Sequence, residues 1–431
     1  MNAKDVPVPH LTTANAGPLY HIEKVILNQI ATIESWFRQK WRETPPPLTS
    51  SVDLRHAGFK LAPVDTNLFP AGFNNLNNDF LPLCVQAAQS VLVDYLPSCK
   101  QILLLPESHT RNKFYLQSLS VLRTILTQAG FIVRIGSLDP TVTEPKEMVT
   151  DAGEVLLMEP LIRENDCVGL FDFKPCLIVL NNDLSTGVPE ILQGLKQRIR
   201  PTEKLGWSTR LKSSHFQYFD EVVSEFSKIV NLDPWFINPF FKAVDGIDFM
   251  TQEGIDNLAN EVQQILQTIK DKYLTYDIKE RPFVVVKADN GTYGMSVMTV
   301  HDADELRQLN RKQRTRMSAS KGSQKVERVL IQEGVYTFET MPDGAVAEPV
   351  IYMIGQFVVG GFYRVHQERG IDENLNAPGM HFEPLAFAQA CNTPRGDLNP
   401  VDCSNRFYAY GVIARLAALA AAREIEAIGG E

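Results

Sequence analysis

Lys287 closes the apolar run Val284-Val285-Val286 and is followed by Ala288-Asp289-Asn290-Gly291-Thr292-Tyr293-Gly294. A lysine at a strand end beside a loop of small residues can lay its ammonium on phosphates, while backbone N–H groups of the loop reach the same oxygens. Gly291 and Gly294 allow the close approach and unusual dihedrals such a loop needs. The spacing is neither that of a Walker A motif, which ends in GKS or GKT, nor that of GxGxxG. Taken alone, Asn290-Gly291-Thr292 reads as a hairpin turn.

Further polar residues follow in an order that suits a nucleotide. Gln332-Glu333-Gly334-Val335 ends a strand, where a hinge presents backbone groups to an adenine ring, and Glu339 lies a few residues on. Two strands joined by Ile354-Gly355-Gln356 then deliver Glu348 and Arg364. The stretch Asp372-Glu373-Asn374-Leu375-Asn376-Ala377-Pro378-Gly379 crowds carboxylates and amides together. Glu348, Glu373, Asn374 and Asn376 are thus candidate ligands for Mg²⁺, a hard cation that takes oxygen donors and completes its shell with water and phosphate.

These residues need a scaffold, and the apolar pattern predicts one. From Leu19 to Trp41, apolar residues recur at spacings of three and four, as in an amphipathic helix stopped by Pro45-Pro46-Pro47. Ser50 to Asp79 is so rich in turn residues that no regular structure is expected there. Helices over Gln86–Leu96 and Asn112–Ala129 alternate with short apolar strands at 101–106, 131–135, Val155–Pro160 and 176–180, which predicts an α/β layer with parallel pairing. From about Pro234 the texture changes: a helix over Glu253–Tyr273, strands at 281–287, 296–300, 329–333, 350–354 and 356–364, a charged helix over Ala303–Arg314, and an alanine-rich closing helix over Tyr408–Ile428. Arg311 to Lys325 reads as a mobile loop. The expected regions are residues 1–160, an N-terminal α/β part; 161–233, a central α/β part; and 234–431, an α+β part that carries the candidate nucleotide residues.

Composition bounds the function. With 44% hydrophobic and 22% charged residues, the chain is an ordinary globular protein rather than a disordered one. A net charge of -9 argues against a nucleic-acid surface as its main business. No apolar stretch reaches the roughly 18–20 residues of a membrane span, and the N-terminus lacks a secretory pattern. Six cysteines without a CxxC pair predict reduced thiols in a cytoplasmic protein and no structural zinc.

The succession from Lys287 to Asn376 resembles the ATP-grasp fold: a lysine on a strand, a small-residue loop, a hinge glutamate, an arginine, then a metal-binding carboxylate and asparagine. In that fold the last element often reads Glu-x-Asn before Pro-Gly. Here Asn374 stands where the glutamate would be, so Glu373 or Glu348 is left to supply the charge. The N-terminal half carries a second resemblance. Ser51-Val52-Asp53-Leu54-Arg55-His56-Ala57-Gly58-Phe59-Lys60 and its continuation to Asn74-Asn75-Leu76 are similar to the signature of a proteobacterial glutamate–cysteine ligase family. The likeness continues through Pro106-Glu107-Ser108-His109-Thr110-Arg111-Asn112, Asn181-Asn182-Asp183 and the stretch from Gly206 to Phe216.

That resemblance implies ATP-dependent formation of γ-glutamylcysteine, with L-glutamate, L-cysteine, ATP and Mg²⁺ as the small-molecule partners. Arg55 and Lys60 suit the α-carboxylate of glutamate, and Asp65, Asn67 and Asn74 suit its ammonium. Arg111, Arg210 and Lys212 are candidates for the γ-carboxylate, the acyl phosphate or the ATP phosphates, with Arg210 set beside Lys287 and Arg364 as a catalytic candidate. The sequence does not divide these roles, and it leaves a homo-oligomer open. Other readings stand beside this one: a different ATP-grasp ligase such as a glutathione synthetase-like enzyme, a small-molecule kinase, and a non-catalytic binding protein.

Overall fold

A computed structural model of the chain describes residues 20–107, 112–290, 296–318, 326–385 and 406–429. In chain order the first elements are α1 (His21–Leu27), α2 (Ile30–Glu43), β1 (Thr49–His56), β2 (Leu61–Asn67), α3 (Leu81–Tyr95), β3 (Gln101–Pro106), α4 (Lys113–Gln128) and β4 (Ile132–Ser137). Then come β5 (Lys146–Val149), β6 (Val155–Pro160), β7 (Ile162–Glu164), β8 (Cys167–Gly169), β9 (Leu177–Asn181), β10 (Ile199–Arg200) and α5 (Lys212–Val230). The rest are β11 (Phe241–Asp245), α6 (Gln252–Thr275), β12 (Val284–Ala288), β13 (Val297–Val300), α7 (Ala303–Arg307), α8 (Arg311–Ser318), β14 (Arg328–Glu333), β15 (Val346–Ile354), β16 (Phe357–His366), β17 (His381–Pro384) and α9 (Arg406–Ala427).

Three main sheets form a mixed α/β architecture. One is the expected parallel layer, ordered β10-β9-β3-β4-β6-β5, with only β5 antiparallel. Its central strand β3 is apolar and buried from Ile102 to Pro106 because both faces are covered there. Ile102 and Leu104 enter the core with α3 and α4, while Leu103 and Leu105 enter another on the opposite face. The second sheet, β11-β14-β12-β13, is antiparallel. Val284, Val286, Val329 and Ile331 on one of its faces pack with Ile255, Leu258, Val262 and Ile269 of α6.

The third sheet, ordered β17-β16-β15-β1-β2, joins strands from both ends of the chain. The expected regions 1–160 and 234–431 therefore share it. It also overturns the expectation that Ser50 to Asp79 lacks regular structure, since β1 and β2 lie there as an antiparallel hairpin. Its turn closes with Ala57 N donating to Lys60 O at 2.8 Å, across Gly58 at φ +82°. Val52 and Leu54 face the core while Asp53 and Arg55 face a cleft, and that second, polar face disguised the strand.

Smaller departures also have local causes. The helix expected over Leu19–Trp41 is two helices, broken where Gln29 Nε2 donates to Val230 O at 2.7 Å. Within the segment expected to be a mobile loop, Arg311–Ser318 is helical, and 319–325 lie outside the described residues. The expectation of reduced thiols fails for Cys99 and Cys176, which form a disulfide between the approach to β3 and the approach to β9. Cys84 and Cys167 are free thiols, and burial pushes Cys84 up to about 12; Cys391 and Cys403 lie outside the described residues. Among the described residues no helix is long and apolar enough to cross a membrane.

Candidate active site

The four-stranded sheet turns its polar face to a cleft holding about 930 Å³ of space, part of it open to solvent. Strand alternation decides which side chains point there. Gln332, Val285 and Thr299 form one row across β14, β12 and β13, and Lys287 and Val297 belong to the next. The facing wall comes from the five-stranded sheet: Asp53 and Arg55 on β1, Asp65 on β2, Glu348 on β15 and Arg364 on β16. Asp372, Glu373, Asn374 and Asn376 close one side.

Charges on that wall are tightly paired. Glu348 lies directly opposite Arg364 in the ladder and accepts from Arg364 Nη1 at 2.6 Å and from Arg55 Nε at 2.9 Å. Arg364 Nη1 also reaches Asp53 at 2.8 Å. Burial pushes the Glu348 carboxyl up, but Arg55 and Arg364 outweigh it and hold it below its ordinary value. Asp53 goes the other way, raised by burial and by Glu348 and Asp65 against the pull of Arg364. Arg364 Nε has no acceptor among the described residues.

Arg55 is spent on the protein. Besides Glu348 it donates to Val335 O at 3.3 Å, to Ile371 O at 3.4 Å and to Glu373 O. It thus ties the end of β14 to the 371–373 loop, which leaves its guanidinium little to offer a substrate carboxylate.

Two lysines flank Asp65. Lys212, the first residue of α5, donates to Asp65 at 3.0 Å and lies over the Trp207 ring at 3.7 Å. Lys287 donates to Val64 O at 2.7 Å. Burial pushes Lys287 down to about 8, opposed by Asp65. Burial also works against the Asp65 charge, but Lys212 and Lys287 outweigh it and hold that carboxyl at about 2. Beyond Lys287 the chain is anchored by Asp289, fully buried, which accepts from Ser213 N at 2.7 Å, Ser213 Oγ at 2.6 Å and Arg328 Nε at 2.6 Å.

Of the residues singled out by sequence, Lys287, Asn290, Gln332, Glu333, Val335, Arg55, Asp65, Lys212, Glu348, Arg364, Glu373, Asn374 and Asn376 line this cleft. Gly291, Thr292, Gly294 and Arg111 lie outside the described residues. Lys60, Arg210, Glu339, Asn67 and Asn74 are absent from its lining, and the structure uses their polar atoms elsewhere. The Lys60 ammonium pairs with Glu333 at 3.0 Å behind the sheet. Arg210 is buried, with Nη2 at 2.8 Å from Glu424 and Nη1 at 2.8 Å from Thr66 O. Glu339 accepts from Tyr410 in the core. Asn67 caps Phe69 N at 2.9 Å and Asn74 donates to Asn75 at 3.3 Å. Asp53 was not singled out, although the alternation Val52-Asp53-Leu54-Arg55 carried the strand signal that would have found it.

The candidate metal ligands differ in availability. Glu373 spends its carboxylate on Arg369 and Gly370 N, each at 2.8 Å, and Asn374 Oδ1 accepts from Asn376 N at 3.0 Å. Among the described residues no group of three or more His, Cys, Asp or Glu is placed to hold a metal alone. Glu348 accepts from Arg364 and Arg55 and Asp53 from Arg364, yet both face the cleft with the Asn376 amide and are hard oxygen donors that an ion could share with those arginines. That set fits an ion held by one or two carboxylates that draws its remaining ligands from phosphates and water.

Residues 23–425 match the family model for glutamate-cysteine ligase. The chain belongs to that family, and it is a ligase. It is 55% identical to a solved structure named "Putative gamma-glutamylcysteine synthetase" from Methylobacillus flagellatus KT, with a TM-score of 0.89 over 98% of this chain and 99% of the other. Two remoter structures are D-alanyl-alanine synthetase A from Vibrio cholerae, at 10% identity over 74% of this ligase and 81% of that chain, and a glutathione synthetase-like effector from Globodera pallida, at 9% identity over 84% and 79%. Both have TM-scores of 0.36, too low to carry an argument. No curated protein matches.

Proposed function

We infer that this ligase joins the γ-carboxylate of L-glutamate to the amine of L-cysteine at the expense of ATP, giving γ-glutamylcysteine, ADP and phosphate. The observation that carries the reading is the family match over residues 23–425. The convergence of Lys287, Arg364 and Glu348 on one cleft supports its chemistry. A γ-carboxylate oxygen attacks the terminal phosphorus of ATP and ADP leaves. The cysteine nitrogen then attacks the acyl carbon, phosphate leaves with the carboxylate oxygen, and the nitrogen gives up a proton.

Phosphoryl transfer asks a protein chiefly for position and charge. Lys287 and the following loop are suited to the phosphates, backbone groups of 332–335 to the adenine, and Arg364 to the charge that develops at the carboxylate. Asp65 and Lys212 suit the amino-acid side of the cleft. Arg55, Lys60 and Arg210 then serve by positioning rather than by touching substrate. Mg²⁺, when bound, would neutralise phosphate charge, and Glu348, Asp53 and Asn376 are the residues to hold it. On this reading the nucleotide belongs with the four-stranded sheet of region 234–431, in an ATP-grasp-type arrangement. Region 1–160 supplies Asp65 to the amino-acid side, and 161–233 supplies Lys212 and completes the parallel sheet.

ADP release with glutamate alone, cysteine alone and both together tests the reaction. Sustained turnover is expected only with both. Arg364→Ala is expected to lower kcat on the order of 10²–10³-fold, the scale of removing one group that stabilises transition-state charge. Sustained ADP release with a single amino acid would instead indicate a kinase.

A further inference from the structure

Gln332 is 2% exposed, yet its Nε2 has no hydrogen-bond acceptor among the described residues. Burying an amide donor without a partner is costly, so such groups are normally satisfied. Here the residue lines the cleft. The next residue, Glu333, is turned the opposite way and pinned there: Lys60 Nζ lies 3.0 Å from its carboxylate, Trp235 Nε1 3.0 Å and Phe240 N 2.9 Å. Strand alternation therefore holds Gln332 toward the cleft.

What surrounds the amide narrows its ligand. Val285 and Thr299 share the row of Gln332, and Val297 belongs to the row of Lys287; the Thr299 hydroxyl is given to Asp372 O at 3.3 Å, so the surface next to the orphan donor is largely apolar. Lys287 stands two residues further along β12, roughly 7 Å at strand rise. A neutral donor beside an apolar shelf, one row from an ammonium, matches a heterocycle whose phosphates extend toward the lysine. We propose that the Gln332 side-chain amide reads the nucleotide base, donating from Nε2 to an unprotonated ring nitrogen of a purine. The proposal rests on the reading above that ATP occupies this cleft.

Steady-state kinetics with ATP and its 1-deaza, 3-deaza and 7-deaza analogues test it, each replacing one ring nitrogen by C–H. In the wild type, one analogue is expected to raise KM about five- to tenfold with kcat little changed, the scale of one lost neutral hydrogen bond. In Gln332→Met that analogue should bind no worse than ATP. Gln332→Glu, which keeps the shape but replaces the donor by an acceptor, should raise KM for ATP itself. ATP turnover with no analogue penalised in the wild type overturns the inference alone, and so does a penalty that persists in Gln332→Met. Absence of ATP turnover by the wild type overturns the reading of the cleft and the inference with it.

Discussion

The ammonium of Lys60 lies 3.0 Å from the carboxylate of Glu333, with neither side chain more than 1% exposed. Lys60 ends the turn of the β1–β2 hairpin and Glu333 ends β14, so this ion pair bolts the five-stranded sheet to the four-stranded one beside the cleft. The Trp235 ring, 4.3 Å away, covers the ammonium.

Removing one partner strands the other charge in the interior. Lys60→Met is expected to cost about 3–5 kcal/mol in urea denaturation, because the lone Glu333 carboxylate must stay desolvated or neutralise. The double variant Lys60→Met/Glu333→Leu should recover part of that loss, since it removes the stranded charge but leaves Trp235 Nε1 and Phe240 N without their carboxylate acceptor. A double variant no more stable than Lys60→Met alone would contradict this account.

Lys287 supplies a pH dependence. Held down to about 8 by burial, it carries its charge below that pH and loses it as the pH rises through that value. With phosphates as its ligand, kcat/KM for ATP should fall above about pH 8, by about tenfold per pH unit once a single essential proton is lost. Lys287→Arg keeps a charge that does not titrate in this range, so its falling limb should move to higher pH. A limb that stays near pH 8 in that variant points to Lys60 instead, itself pushed down to about 8 by burial against the pull of Glu333.

Glu424 governs part of the acid stability. Burial raises its carboxyl, but Arg210 and His215 together outweigh burial and hold it at about 2. A depressed carboxyl stabilises the fold above its unfolded value of 4.5, and that contribution is lost as the pH falls from 4.5 toward 2. The shift corresponds to on the order of 3 kcal/mol at neutral pH. Glu424→Gln should therefore be less stable than wild type at pH 7, and the gap should close at low pH in denaturation curves. A gap independent of pH would rule out this linkage.

The parallel sheet was legible because β3 is an unbroken apolar run between turn signals, and a strand buried on both faces must read that way. The β1–β2 hairpin was not, because Asp53, Arg55 and Asp65 interrupt it. A strand facing a charged cleft shows the same composition as a polar loop, and periodicity alone cannot separate them. The order of Lys287, Glu348 and Arg364 along their strands was readable, and those residues meet in one cleft. Lys60, Arg210 and Glu339 are the same residue types, yet their polar atoms go to Glu333, to Glu424 and Thr66, and to Tyr410.

The sequence by itself determined the kinds of groups present, their order along strands and helices, and a resemblance specific enough to name a family. Only the tertiary structure decided which polar atoms the protein keeps for itself. That choice is made by pairings such as Arg55 with Glu348, 293 residues apart. Whether a charge is satisfied depends on atoms brought within hydrogen-bond reach by packing the whole chain. Local spacing carries no record of it.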